Sequence, residues 1–420
     1  MNTLKVVEFL SKYRISVKTY KKRIEKLKEE LKERNLDAIV LMNAQNIAYM
    51  SGFFHVSTER PIVLIIPVEG EPILLIPKLE EVQAKEMVPW IEDVEVSYFD
   101  TPGVPNFLTR LARAFRDRGL GNKRLGTDRV GWFLDPAMAE KFRKELGRAE
   151  FESAGDLIMN MRIIKSEEEL NLMRQCAVWG HLTISLVHDC AAPGLSPYEL
   201  YFKASQEASN AMLGALGPEG SAMAFMANRP PDGYCAFPVH LRLRVGPRWY
   251  YPHWMYFPPQ PSRRLRVGDV IKAEGEPSVG GYMIEHSRMM FLGEPEGKHK
   301  KRFEVHLRAK LAAFNAAKPG VRACDVDRAC NKVFKEAGMS SWLAHHTGHG
   351  VGLGEHGHPW IDEGDETILR PGMTFSIEPG LFIKEEDIMY HNHETVVVTE
   401  DGCEWLSTYP RDLESCIIRV

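Results

Sequence analysis

The chain has no ordered cysteine pattern, no long apolar run and no excess of charge of either sign, and each absence removes a class of protein. Its seven cysteines (Cys176, Cys190, Cys235, Cys324, Cys330, Cys403, Cys416) are odd in number, scattered, and form no CxxC. A disulfide framework and a zinc ribbon both need paired, regular spacing, so neither is expected. No stretch approaches the roughly 18 apolar residues of a membrane helix. The opening MNTLKVVEFLSKYRISVKTYKKRIEK is broken by charges throughout, and no signal peptide is expected there. With 53 basic against 57 acidic residues the formal net charge is −4, which favours neither nucleic acid nor an anionic membrane. What remains is a chain of 420 residues, 44% hydrophobic and 26% charged, with the composition of a soluble globular protein whose expected location is the cytoplasm. That length exceeds one ordinary core, so two or more domains are expected.

Hydrophobic periodicity divides the chain near residue 157. Ile24, Leu27 and Leu31 lie at helical spacing. LDAIVLM (36–42) reads as a buried strand, and PIVLIIP (61–67) with PILLIP (72–77) as a hairpin. Residues 78–87 read as a helix, 94–99 as a strand and FLTRLARAFRDRG as a helix ended by Gly119; RLGTD and the helix after FLDPAMAE close a mixed α/β domain over 1–157. The second domain, 158–420, opens on a helix with the capping-box spacing Ser166–Glu169, then another with Ser196 at the cap and Pro197 first in the helix. Residues 217–268 dissolve into Pro, Gly and aromatics and read as strands or pocket loops, with Arg242, Arg244 and Arg248 on a solvated strand face. VGDVIKAEGEPSVGGYMIEHSRMMFLGEP reads as two strands turning at Gly280-Gly281; helices follow over 300–317 and 323–337, and strands after 372.

Five of the fifteen histidines (His345, His346, His349, His356, His358) fall within fourteen residues threaded with glycine, and His391 and His393 follow Glu378. Imidazole titrates near neutral pH and binds borderline metals, so the cluster marks a site. Such chemistry needs acids and imidazoles from separate strands, and the expected strand ends carry Glu274, Glu276, Glu285, Glu378 and Glu394. Glu274 and Glu285 stand eleven residues apart across the Gly-Gly turn, which can bring both carboxylates to one side of a hairpin. Mixed carboxylate and imidazole donors suit zinc, manganese or iron.

These motifs resemble the creatinase, aminopeptidase P, prolidase and methionine aminopeptidase family. NIAYMSGF (46–53) is similar to the family's N-terminal turn and RIIKSEEEL to the segment that joins its domains. TGHGVGLGEHGHP, PGMTFSIEPG and the pattern Gly268-Asp269, Gly281-Tyr282, Arg288 are similar to its catalytic half, so the resemblance covers nearly the whole chain. It implies an α+β fold: a pita-bread C-terminal domain preceded by a smaller mixed α/β creatinase-type N-terminal domain, in a homodimer. In metal-dependent members two Asp, one His and two Glu hold a pair of divalent metals; here those positions carry Glu274, Glu285, His349, Glu378 and His393, with Glu394 beside the last. The catalytic His of the family's HExP motif falls on His356, in HGHP. A further family His falls on His253 or, less well placed, His240. His345, His346 and His358 match no family position, and Arg288 is expected to brace the carboxylates.

Glu in place of Asp adds a methylene and displaces each carboxylate by more than the ~0.2 Å tolerance of a metal–ligand bond. The chain therefore looks closer to the creatinase-like branch, which resemblance implies works without metal. Two readings stay open: a divalent metal (Zn, Mn or Fe) held by Glu274, Glu285, His349, Glu378 and His393, and metal-independent catalysis by His253, His356, Glu285 and Glu378. The expected activity is hydrolysis of a C–N bond in a small zwitterionic substrate, amidinohydrolase-like or dipeptidase-like. A lyase of the dimethylsulfoniopropionate type, an Xaa-Pro metallopeptidase and a non-catalytic binding homologue are the alternatives. The expected partners are a small zwitterion or dipeptide, with no nucleic acid and no membrane.

Overall fold

The structure is a computed structural model that describes residues 13–55, 61–97, 106–128, 144–227, 239–245 and 263–420. The described residues separate into two compact units, one over 15–162 and the other over 13–14 with 163–420.

In the first unit α1 (Val17–Glu33) starts where the Ser16 hydroxyl accepts from the Thr19 amide, and it buries Ile24, Leu27 and Leu31. Then come β1 (Ala38–Leu41), α2 (Ala44–Ser51), β2 (Val63–Pro67), β3 (Ile73–Pro77), α3 (Glu81–Met87), β4 (Asp93–Ser97), α4 (Asn106–Asp117), β5 (Arg124–Thr127), β6 (Glu150–Ser153) and α5 (Gly155–Arg162). The strands pair in the order β4-β3-β2-β1-β5-β6. β2 and β3 form the antiparallel hairpin that the proline-bounded runs predict, whereas β1–β5 and β3–β4 are parallel. Every residue of β1, β2 and β3 is buried, which explains their unbroken apolar sequence. The helix expected after FLDPAMAE falls mostly outside the described residues.

The second unit opens with α6 (Glu167–Cys190), where both halves of the Ser166–Glu169 capping box form. α7 (Pro197–Ala227) runs further than expected: the chain breaks at Gly217 (φ +70°) and resumes as helix to Ala227. Pro218 sits just past the break, where its missing N–H is no handicap, so Gly-Pro here restarts a helix rather than opening a strand. β7 (Val239–Val245), β8 (Val270–Val279), β9 (Tyr282–Met283) and β10 (Ser287–Leu292) precede α8 (Gly297–Ala316) and α9 (Ala323–Glu336). The rest is mostly strand: β11 (Gly348–Gly352), β12 (Gly354–Ile361), β13 (Thr374–Ser376), β14 (Gly380–Ile383), β15 (Ile388–His391), β16 (Thr395–Val398), β17 (Cys403–Trp405) and β18 (Ile417–Ile418).

One sheet runs β18-β10-β8-β7 with β9 on β8, a second runs β12-β11-β13-β16-β17, and β14 pairs with β15. α6 and α7 cover the first sheet, with Ile184, Val187, Leu200 and Ala204 in one cluster with Leu241, Leu243, Ile271 and Ala273. α8 and α9 pack Phe303, Ala309, Ala313 and Phe334 with Phe375, Ile377, Leu381 and Met389. Successive strand side chains point to opposite faces, so the residues between these apolar ones are aimed away from the helices and form the site. Among the described residues no helix is long and apolar enough to cross a membrane.

His306, buried on α8, donates from Nε2 to the Pro379 carbonyl at 2.8 Å. Burial, with Lys310 nearby, pushes its pKa down to about 3. The folded chain thus keeps this ring neutral, while the unfolded chain takes up a proton below an ordinary value near 6.5. The stabilisation is present above pH 6.5 and is lost as the pH falls towards 3. Between pH 6 and 4 the residue should contribute a loss of about 1.4 kcal/mol per pH unit. Urea unfolding of His306→Gln should show a shallower pH slope by that amount; identical slopes would remove His306 from the acid sensitivity.

Candidate active site

β8 is buried at every residue, yet its sequence KAEGE puts Lys272, Glu274 and Glu276 on the face opposite Ile271 and Ala273. Register sets Glu274 beside Ser287 on β10 and Arg242 on β7, and Lys272 beside Arg244. Arg244 Nη1 donates to Glu274 Oε1 at 3.0 Å, and Lys272 Nζ stands 2.5 Å from the same oxygen. Arg242 lies 3.7 Å from Glu274 Oε2 and 3.5 Å from Glu276 Oε2. Arg242 and Arg244 are therefore not the solvated strand face expected from sequence. They are the counter-charges of carboxylates that could not otherwise be buried. Arg248 and His253 lie outside the described residues, and His240 is placed only by its backbone pairing with Glu276. Glu285 follows β9, its amide donating to Thr395 Oγ1 at 3.0 Å.

β11 carries His349 between two glycines that the packing requires. A Cβ at Gly348 would stand 1.9 Å from the Ser376 carbonyl oxygen, and one at Gly350 2.1 Å from that of His358. The glycine threading of the histidine run thus lets β11 lie against β13 on one side and β12 on the other. Glu378 follows β13, its amide donating to the Thr347 carbonyl at 2.7 Å. Its Oε1 accepts from His349 Nε2 at 2.8 Å and from Ser376 Oγ at 2.9 Å. Its Oε2 lies 3.2 Å from His393 Nε2 and 3.5 Å from His391 Nε2. Glu285 Oε1 is 3.5 Å from His349 Nε2. His356, exposed on β12, has its ring centroid 4.2 Å from that of His349.

The structure thus gathers Glu285, His349, Glu378 and His393 into one buried cluster with His356 on its exposed side. Glu274 joins the cluster's edge through Lys272, whose Nζ lies 3.2 Å from His391 Nδ1 and 3.2 Å from His393 Nε2. Of the histidines without a family position, His346 Nε2 approaches Glu378 Oε1 to 3.9 Å, and His345 packs its ring 4.8 Å from His391. His358 is turned instead towards Asp365, at 3.6 Å.

Burial disfavours a charge on His349, but the carboxylates of Glu285 and Glu378 outweigh it and raise the imidazole to about 10. Burial also works against the charge on Glu378, which His393 and His349 nonetheless hold well below the ordinary carboxylate value. Glu274 is held low in the same way, against burial, by Lys272 and Arg244. Burial lowers Lys272 while Glu274 pulls it up, and burial brings His346 down to about 4.

Atoms of Glu285, Glu378 and His393 lie within 4.8 Å of one another, as do those of Glu285, His349 and His356. Carboxylate and imidazole in this mixture fit one divalent ion. Glu274, Glu276 and His393 converge as closely, but both carboxylates there already face fixed cations.

Sheets backed by helices around a buried cluster of carboxylates and imidazoles are the architecture of the pita-bread class. Residues 173–400, more than half of the chain, match metallopeptidase family M24, and residues 23–164 match the creatinase/prolidase N-terminal domain. The chain belongs to metallopeptidase family M24, whose peptidases are hydrolases and typically dinuclear metal enzymes. The Xaa-Pro dipeptidase of Pyrococcus furiosus is 27% identical over 395 residues, spanning 94% of this chain and 99% of the relative. A creatinase from a Bacillus species is 23% identical over 404 residues, spanning 94% and 92%. The crystal structure of dipeptidase PepE from Mycobacterium ulcerans superposes with a TM-score of 0.77 at 24% identity, covering 97% of this chain and 100% of that one, and shows the shared fold.

Proposed function

We propose that this chain hydrolyses a C–N bond in a small zwitterionic substrate, amidinohydrolase-like or dipeptidase-like. The arrangement that supports the reading is the pair of buried carboxylates, Glu285 and Glu378, flanking His349 beside the exposed His356. As buried carboxylates, Glu285 and Glu378 suit a cationic group on the substrate. Without a metal, Glu285 and Glu378 raise His349 to about 10 and it donates a hydrogen bond to Glu378, so there it orients and stabilises charge rather than acting as the base. His356 is the imidazole placed to take a proton from an attacking water and return it to the leaving nitrogen. Glu285, His349, Glu378 and His393 are the residues that would hold a divalent metal, with His349 giving up its proton. When bound, such an ion supplies Lewis acidity. A relative named Xaa-Pro dipeptidase supports a dipeptide-like substrate, and one named creatinase supports a creatine-like one.

The test incubates purified full-length protein, with and without Mn²⁺ or Zn²⁺, with Ala-Pro, creatine and related zwitterions, and follows products by proton NMR. The expected result is an amine-bearing hydrolysis product, with turnover lowered about 10²–10⁴-fold in His356→Gln. An alkene without a new amine would replace hydrolysis by elimination. Binding without turnover across the panel would make the chain a binding homologue.

A further inference from the structure

We propose that the Lys272 ammonium is a built-in cation of this centre, standing where one ion of a metal pair would sit, so that the centre takes at most one divalent metal. The inference rests on reading the Glu–His cluster as the active site, and it concerns what that site holds rather than which substrate it turns over.

The first support is position. Strand alternation puts Lys272 on the same face as Glu274 and Glu276, and its side chain is fully buried there. An ammonium has three protons and no lone pair, so it must be surrounded by acceptors. Around Nζ stand Glu274 Oε1 at 2.5 Å, His391 Nδ1 at 3.2 Å and His393 Nε2 at 3.2 Å. Glu274 and His393 are among the residues whose donor atoms converge as a metal-binding group. Two of the three residues of that group, Glu274 and His393, are thus already engaged by Nζ.

The second support is charge. Four carboxylates (Glu274, Glu276, Glu285, Glu378) enter the cluster, and Lys272, Arg242 and Arg244 bring three positive groups to the Glu274 side of it. Arginine does not lose its proton in a protein, so at least the two guanidinium charges are permanent. One negative charge is left, and with a neutral His349 a single divalent ion on the Glu285–His349–Glu378 side brings the cluster to only one positive charge. Two such ions would leave a buried excess of three positive charges with no counter-ion, an arrangement protein interiors avoid. On the Glu285–His349–Glu378 side, among the described residues, the carboxylates meet imidazoles and the Ser376 hydroxyl. The two halves of the cluster are therefore unequal, one closed by a protein cation and the other open to an ion.

The experiment is equilibrium dialysis of the full-length protein against Mn²⁺ and, separately, Zn²⁺, with bound metal counted by elemental analysis in the absence of substrate. Wild type is expected to retain one equivalent or fewer, and two equivalents would overturn the proposal whatever the activity. Lys272→Met removes the charge at similar length and is expected to gain a further class of metal site, with at least a tenfold rise in second-ion occupancy at a fixed Mn²⁺ concentration. A variant that folds and binds metal as wild type does would show that the lysine does not compete with an ion. Lys272→Gln, which keeps a donor towards Glu274, makes the same comparison if Met leaves the protein unfolded. Because metal is counted without substrate, a wrong substrate class would leave these outcomes untouched.

Discussion

Glu378→Gln is expected to lower kcat/KM by about 10²–10⁴-fold on any substrate the panel identifies, while the purified protein remains folded. The side chain is 2% exposed, and both of its oxygens are engaged: Oε1 by His349 Nε2 and Ser376 Oγ, Oε2 beside His393 and His391. The amide keeps the volume and keeps an oxygen for Ser376, so packing changes little. What it loses is the negative charge that faces His349, leaving Glu285 as that ring's carboxylate partner at 3.5 Å. Breaking a buried charge pair costs about 3–5 kcal/mol. If that loss falls on the transition state, each ~1.4 kcal/mol is tenfold in rate, giving roughly 10²–10⁴. The loss should fall mainly on kcat, with a smaller rise in KM from the weakened hold on a cationic substrate. Kinetics within tenfold of wild type, with His356→Gln crippled, would move the chemistry away from Glu378.

What could be read beforehand depended on how local the cause was. The Ser166–Glu169 capping box, the Ile24–Leu27–Leu31 stripe and the proline-bounded hairpin each involve residues a few positions apart, so their pattern survives in one dimension. The glycine–histidine run was visible as a site, but the reason for its glycines was not. Gly348 and Gly350 are fixed by the carbonyls of Ser376 and His358, which only the fold brings near. Arg242 and Arg244 read as a solvated face because nothing in the sequence shows that β7 pairs with the acidic face of β8. Lys272 passed unnoticed, and His391 was seen in the cluster but given no role, for a similar reason, since their significance lies in meeting each other 3.2 Å apart across the sheets. Lys272 had one visible signal: in a strand too apolar at both ends to face water, a charge every second residue (KAEGE) marks a polar interior face. The stretch 218–227 misled because Gly-Pro reads as a turn in isolation, whereas here it ends one helical segment and begins the next.

Arg288→Met should be the most damaging change to stability outside the catalytic cluster, by about 4 kcal/mol, because a buried charged group is removed from an interior that remains polar. The guanidinium is 1% exposed. Its Nη2 donates to Glu394 Oε1 at 2.5 Å and to the Tyr409 carbonyl at 2.6 Å, its Nε to the Pro410 carbonyl at 2.8 Å, and its Nη1 to the Ser287 carbonyl at 2.7 Å. Arg288 thus braces Glu394 and the chain around 409–410, not Glu274 or Glu285. Glu394 would not become a lone charge, because Lys310 and Arg411 also reach it. The penalty comes instead from carbonyls left without a donor, each worth about 1–3 kcal/mol when buried. Arg288→Lys should fall between wild type and Met, since one ammonium cannot reproduce the fork. The effect should extend to the site: Ser287, held by Arg288, accepts from the His393 amide at 2.7 Å and donates its own amide to the His393 carbonyl at 3.0 Å. Urea unfolding followed by tryptophan fluorescence should therefore show a lowered midpoint, with turnover reduced but measurable well below that midpoint. A stable Arg288→Met enzyme with abolished turnover would mean that the guanidinium meets the substrate; a stable enzyme with normal turnover would mean that the carbonyls find other donors.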